Sequence, residues 1–117
     1  MQQFFPGGGF LMAFAGRHIT KADKQRFEHL QQLGCVVCWM EFCVHSPAEV
    51  HHIRGKVRND AHQLTIPLCH KHHREGSNNA QWTSRHPWRA QFVERYGTED
   101  QLLEITNVML AKMLGKA

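Results

Sequence analysis

Cys35-Val-Val-Cys38, Val50-His51-His52-Ile53 and Cys69-His70-Lys71-His72-His73 read together as two metal sites folded into one another. The outer motifs come first, because C-x2-C followed about thirty residues later by C-x2-H supplies four thiolate or imidazole donors at the spacing of a tetrahedral zinc site. Cys35, Cys38, Cys69 and His72 are therefore expected to form a closed structural site, the first two on a loop knuckle and the last two on the first turn of a helix. Helix positions three apart share a face, so Cys69 and His72 can meet one ion, while His73, about 100° further round, is free for something else. Cys69 and His73 are four apart and also share a face, so His72 and His73 are rivals for the fourth position.

The same cysteines admit a disulfide framework of a small secreted domain, but a C-x2-C pair with histidines beside its distant partner fits zinc better. Cys43 stands outside the motif, and is expected to be a buried small hydrophobe or a weaker alternative ligand. With 117 residues, 42% of them apolar, the chain makes one small domain, a size at which a metal or disulfides often supplement the core. The 14 Lys and Arg against 10 Asp and Glu favour a polyanionic partner. Of the 10 histidines, seven lie between residues 45 and 73: His45, His51, His52, His62, His70, His72 and His73. A lone histidine is usually solvated or hydrogen-bonded, whereas a cluster interleaved with cysteines points to metal.

No apolar run has the roughly twenty residues a membrane helix needs, so no membrane is expected to be involved. Residues 1–15 read as a flexible leader. Ala13-Phe14-Ala15 has the form of a secretion cleavage site, but a basic start is missing and Pro6 with Gly7, Gly8 and Gly9 interrupts any helical segment, so that Met12 could itself be the start. Residues 16–117 read as one α+β domain, with a core over 35–76 and C-terminal helices over 87–114. Thr20-x-x-Asp23 resembles a capping box, and Phe27, Leu30 and Leu33 form an apolar stripe ended by Gly34, which predicts a helix over 21–33. Trp39, Met40 and Phe42 are expected in the core. A strand at Val50–Ile53, a turn at Arg54-Gly55-Lys56, a strand at Leu64–Leu68 and a helix from Cys69 to Glu75 make a ββα unit. Pro87 suits the first position of a helix through Tyr96, and Thr98-x-x-Gln101 caps a last helix whose Leu102, Leu103, Ile105, Val108, Met109, Leu110 and Met113 supply core. Trp82, Trp88, Phe92 and Tyr96 invite a base-stacking reading, yet aromatics at helical spacing are mostly packed.

The inner motif carries the chemistry. Hydrolysis of a phosphodiester needs a base to deprotonate water, a cation to offset the developing charge, and a group that holds the base in the right tautomer. His51 and His73 can hold one divalent ion, and His52, with an unperturbed pKa of about 6.5, is the expected base. Adjacent residues on a regular strand point to opposite faces, so either the hairpin bulges near Arg54-Gly55 or the scissile phosphate lies between the two rings. The plain alternative is that His51 or His52 is a hydrogen-bonded core histidine. Arg54, beside the proposed base, is expected to touch the scissile strand, and Lys56, Arg58, Lys71, Arg74, Arg85, Arg89 and Arg95 are the candidate phosphate contacts.

The order C-x2-C, His-His-Ile, Leu-Cys-x-x-His-His closely resembles the HNH, or ββα-metal (His-Me finger), endonucleases in their zinc-stapled form. The resemblance implies that His51 and His73 are ligands of a catalytic divalent ion (Mg2+, Mn2+ or Zn2+), that His52 is the general base, and that Cys35, Cys38, Cys69 and His72 hold structural Zn2+. Many relatives have cysteine where His72 stands. Within that group, Gly16-Arg17 with Thr20, Leu33 to Met40, Val50 to Gly55, His62 and Pro67 to His73 resemble the phage recombination-enhancement, RecA-dependent (Ref) nuclease family over residues 16–75. That likeness implies DNA as substrate, products with 5′-phosphate and 3′-hydroxyl ends, a RecA filament as partner, and the cytoplasm of a bacterium or phage-infected cell. The chain departs from the pattern in two places. The middle Asn of HNH has no direct counterpart, His62 falling nearest with Asn59 and Asp60 as rivals, and one of them should orient His52. Ref nucleases also carry a long basic N-terminal arm, where this chain has the glycine-rich leader. The competing reading is a non-catalytic zinc module that binds nucleic acid or a recombination protein. Oligomeric state and substrate structure are open.

Overall fold

The computed structural model describes residues 18–116, so the expected leader over residues 1–15 lies outside the described residues. Helix α1 spans Lys21–Leu33 as the capping box predicts: Asp23 N donates to Thr20 Oγ1 at 3.1 Å and Thr20 N donates to Asp23 Oδ2 at 3.0 Å. It stops at Gly34, whose φ of +84° is open to glycine, and where an added Cβ would stand 2.8 Å from the His45 ring and from the Ser46 carbonyl oxygen. That close approach lets Cys35 N donate to Ser46 O at 3.0 Å, which folds the chain sharply enough to present the next cysteines.

The knuckle is the opening of a second helix, α2 (Val36–Phe42), with Cys35 as its N-cap, and not a loop. Val36 and Val37 are fully buried and Trp39 donates its indole hydrogen to Leu33 O at 2.6 Å, but Met40 and Phe42 are exposed, which corrects their assignment to the core. Only the first turn of so short a helix faces the interior. Cys43, expected buried, is exposed as well, because it caps α2 in the left-handed region at φ 55°, outside the packed face.

Strands β1 (Glu49–His52) and β2 (Thr65–Leu68) pair antiparallel, Glu49 opposite Leu68 and His52 opposite Thr65. Between them lie the Arg54–Gly55 turn and a 3-10 turn at Ala61–Gln63. Helix α3 follows β2 but is one turn, His70–His73, with Cys69 as N-cap; the expected extension to Glu75 is absent since Arg74 N and Glu75 N both turn back to His70 O at 3.0 Å. Helix α4 (Arg89–Tyr96) begins at Arg89 and not at Pro87. Arg85 N and His86 N are engaged with His72 O and His73 O, both at 2.9 Å, so the chain is still tied to α3 there and the first helical bond is Phe92 N to Trp88 O. Helix α5 (Glu99–Met113) carries the predicted Thr98–Gln101 capping box.

The product is a small α+β fold. One core joins the start of α2, β2, Phe92 and Tyr96 of α4 and Leu102 of α5; a second joins Leu30 and Leu33 to Leu110. Phe92 and Tyr96 are packed at 5.0 Å between ring centroids, which removes them from base stacking. Val108 and Met113 are exposed, since the far side of α5 faces solvent. Arg26 of α1 donates to the Thr65 carbonyl and hydroxyl at 2.7 and 2.9 Å, locking α1 across the strands that carry the site. None of the described helices is long and apolar enough to cross a membrane.

Candidate metal centres

Two donor clusters share α3. In the first, Cys35, Cys38, Cys69 and His72 are all buried and their ligand atoms lie within 4.8 Å of one another. His72 Nδ1 stands 3.1 Å from Cys69 Sγ and 3.7 Å from both Cys35 Sγ and Cys38 Sγ, while Cys38 Sγ and Cys69 Sγ are 3.8 Å apart. A tetrahedral ion with Zn–S bonds of about 2.3 Å sets its sulfurs about 3.8 Å apart, so the donor set fits zinc. Between the two rivals, it is His72 that turns to the thiols. No disulfide joins them: the four cysteines are free.

The electrostatics of the cluster also call for a cation. The hydrogen bond with Cys69 and burial both drive the Cys35 thiol up, burial raises Cys38, and the same Cys35 hydrogen bond, reinforced by His72 against the cost of burial, pulls Cys69 down to about 3. A divalent ion would offset the burial that pushes the Cys35 and Cys38 thiols up and favour all three sulfurs as thiolates. His72 Nε2, on the far side of the ring, is buried without a hydrogen-bond partner among the described residues, and the ring stands at 89° to that of Tyr96.

The second cluster is His51, His73 and His86, again with ligand atoms within 4.8 Å of one another. His51 comes from β1, His73 from the face of α3 turned away from the thiols, and His86 from the segment that hydrogen-bonds back to α3. Two of the rings are held from behind by carboxylates: His51 Nε2 is 2.6 Å from Glu99 Oε2 and His73 Nδ1 is 2.8 Å from Glu49 Oε1. That leaves His51 Nδ1 and His73 Nε2 as the nitrogens available to an ion, in the carboxylate–imidazole arrangement common around bound metals. Burial pushes the His73 and His86 imidazoles down, His73 against the pull of Glu49, which favours the neutral form a ligand needs. Glu99 is raised by burial but held at about 2 by hydrogen bonds from His51 and Arg85; Glu49 is held at about 2, chiefly by Arg74.

His52 lies on the other face of β1. The register runs through His51 and His52 without an extra residue, and Ile53 N continues it to Leu64 O, so no bulge falls between the two histidines and their rings lie on opposite faces. His52 Nε2 shares a 2.9 Å hydrogen bond with His62 Nδ1, and both rings stand edge-on to Phe27. Burial first, then His62 and Lys56, lower the His52 imidazole to about 4.

The arginines are more committed than the sequence suggests. Arg54, expected at the scissile strand, pairs with Asp100, Arg74 makes two 2.9 Å bonds to Glu49, Arg85 donates to Glu99 at 2.7 Å, and Arg95 donates to the Asn79 and Ala80 carbonyls. Sequence reasoning missed His86 and Glu99, which reach the cluster through tertiary contacts at no recognisable spacing from the histidines, and Glu49, although its place two residues before His51 puts both on one face of β1.

Compared with protein families, residues 19–111 match the family described as recombination enhancement, RecA-dependent nuclease. No curated protein matches the chain.

Proposed function

The chain belongs to the recombination-enhancement, RecA-dependent nuclease family, and from that premise we propose that it is a metal-dependent DNA endonuclease of the HNH type, with His52 as general base. As a nuclease of recombination its substrate is DNA. The observation that carries the finer reading is the division of adjacent strand residues: His51 joins two other imidazoles, and His52 pairs with a buried histidine instead of a carboxylate.

His62 fills the role of the missing Asn. For His52 to accept a proton at Nδ1, its Nε2 must carry hydrogen and donate to His62 Nδ1, which fixes both tautomers. Holding His52 near pKa 4 keeps that acceptor neutral at physiological pH, and the imidazolium formed in the step keeps its bond to His62. Because the rings diverge, the scissile phosphate lies along the strand between them. His51, His73 and His86 would hold a divalent ion, which would supply positive charge to offset that developing on the phosphate. Imidazole donors favour zinc, manganese or nickel over magnesium, which prefers oxygen. Lys56, close enough to His52 to lower its imidazole, and Arg89, 4.0 Å from Glu99, are exposed cations and are assigned to phosphates. The Cys35, Cys38, Cys69 and His72 set holds structural zinc, and the protein acts in the cytoplasm, where such thiols stay reduced.

The test is cleavage of supercoiled and single-stranded DNA by wild type and His52→Ala, in magnesium or manganese, with and without a RecA filament. Cutting by wild type, reduced about 10²- to 10⁴-fold in the variant at equal zinc content, is expected. Equal cutting by both removes His52 from the reaction, and no cutting under any condition with zinc intact makes the protein a binding module.

A further inference from the structure

Beside the thiol cluster runs a groove of about 520 Å³ that the nuclease chemistry does not use. Its walls include Phe42, Val44 and Pro47 on one side and Lys71, Gln81 and Trp82 on the other. Phe42 is 57% exposed and Val44 47%, and with Met40 they place three exposed apolar side chains within five residues, a density that isolated surface hydrophobes do not reach. The opposite wall is fixed in shape: Trp82 donates its indole hydrogen to Glu75 at 3.1 Å, and Lys71 Nζ sits 4.5 Å from the Trp82 ring centroid.

We propose that this groove is where the chain docks on the RecA filament, taking a surface segment with an apolar anchor and a flanking carboxylate. The proposal rests on the reading above that the chain is a DNA nuclease of a RecA-dependent family. Three observations favour such an occupant. Lys71 is the cation of the lining, which includes no Asp or Glu, and the nearby Glu75 carboxylate is already engaged by the Trp82 indole and the Ser77 hydroxyl, so the complement is acidic. The walls are apolar and aromatic, the composition of an interface core and not of a phosphate track. The groove lies on the thiol face of α3, where His72 points, while His73 points to the histidine cluster about a quarter-turn away, so a filament held here leaves the cutting site free for DNA. A second copy of this chain fits less well, since a two-fold contact would bring the two Lys71 rims together.

The experiment measures binding of the full chain to RecA filaments assembled on single-stranded DNA with a non-hydrolysable ATP analogue, for wild type, Phe42→Asp, Val44→Asp and Phe42→Ala. Binding to naked single-stranded and duplex DNA, zinc content and solution mass are read in parallel. Phe42→Asp and Val44→Asp are expected to weaken filament binding by about tenfold or more, and Phe42→Ala by less, with naked-DNA binding and zinc unchanged. If Phe42→Asp loses zinc, Val44→Asp and Phe42→Ala carry the test. Filament binding equal to wild type overturns the proposal, as does its absence in wild type. Parallel loss of naked-DNA binding assigns the groove to nucleic acid, and a wild-type dimer that Phe42→Asp dissociates assigns it to a second copy; both overturn it. The nuclease reading fails separately, through cleavage that does not depend on His52.

Discussion

The thiol cluster and the histidine cluster share a four-residue helix, yet their surroundings are opposite in kind. Around Cys35, Cys38, Cys69 and His72 every donor is buried, and the far nitrogen of His72 has no hydrogen-bond partner among the described residues. Around His51, His73 and His86, burial falls from a buried to an exposed ring, and two of the three imidazoles are braced by carboxylates that are themselves held by arginines. A donor set of four buried side chains from one tight cluster serves the fold, because the protein itself fills the four positions of a tetrahedral ion. A braced set with one exposed member has its geometry fixed from behind and its front open to water and substrate.

The largest test of that contrast is to disable each cluster in turn. Cys38→Ser is expected to unfold the protein or leave it without cooperative melting, since structural zinc contributes on the order of 10 kcal/mol to folding in small domains; circular dichroism with zinc analysis reads this directly. His73→Ala is expected to keep the first zinc and the fold but to lower DNA cleavage on the order of 10³-fold, the effect of losing several kcal/mol of transition-state stabilisation. A His73→Ala protein that also loses its fold would erase the distinction between the clusters.

Much of this contrast can be read in the chain itself, and what cannot has a physical reason. Cys35, Cys38, Cys69 and His72 announce themselves because knuckle and helix spacing are local geometry, and the two capping boxes fix the starts of α1 and α5 in the same local way. His72 and His73 are both within reach of Cys69 by spacing, and only the packing of α3 against Tyr96 and β1 separates them. The course of α2 was obscured because a helix of two turns leaves Met40 and Phe42 on its solvent side although their hydrophobicity matches that of core residues. His86 and Glu99 join the histidine cluster only after α3, the segment at residues 84–86 and the start of α5 have come together. No periodicity records such contacts. The same holds for the arginines, whose positive charge is plain in sequence but whose carboxylate partners lie up to 46 residues away.

The braces give a smaller, graded effect. Glu99→Gln removes the charge behind His51 while keeping the shape, and is expected to weaken metal binding at the histidine cluster about 10- to 100-fold without changing the zinc held by the thiols. Competition with a metal indicator reads the two sites separately, and cleavage should recover as metal is raised. Glu49→Gln is expected to do less, because Glu49 is half-exposed and shared with Arg74. Equal loss at both clusters would mean that Glu99 stabilises the fold as a whole.

The smallest effect separates the two faces of β1 by their response to acid. His52 is held at about 4 against an ordinary value of 6.5, so between those values the unfolded chain binds a proton that the folded chain refuses. Its contribution to stability is therefore full above pH 6.5 and is lost as the pH falls towards 4. Glu49 and Glu99 are held at about 2 against 4.5, so what they contribute is intact above pH 4.5 and is lost only below it. Stability measured by urea denaturation should thus decline in two stages, and His52→Gln, which cannot take up the proton, should flatten the upper stage by close to one proton in the slope against pH while leaving the lower stage in place. An unchanged upper slope in His52→Gln would place the sensitivity in His73 and His86 instead, and would mean that burial against His62 and Phe27 does not set the protonation of His52.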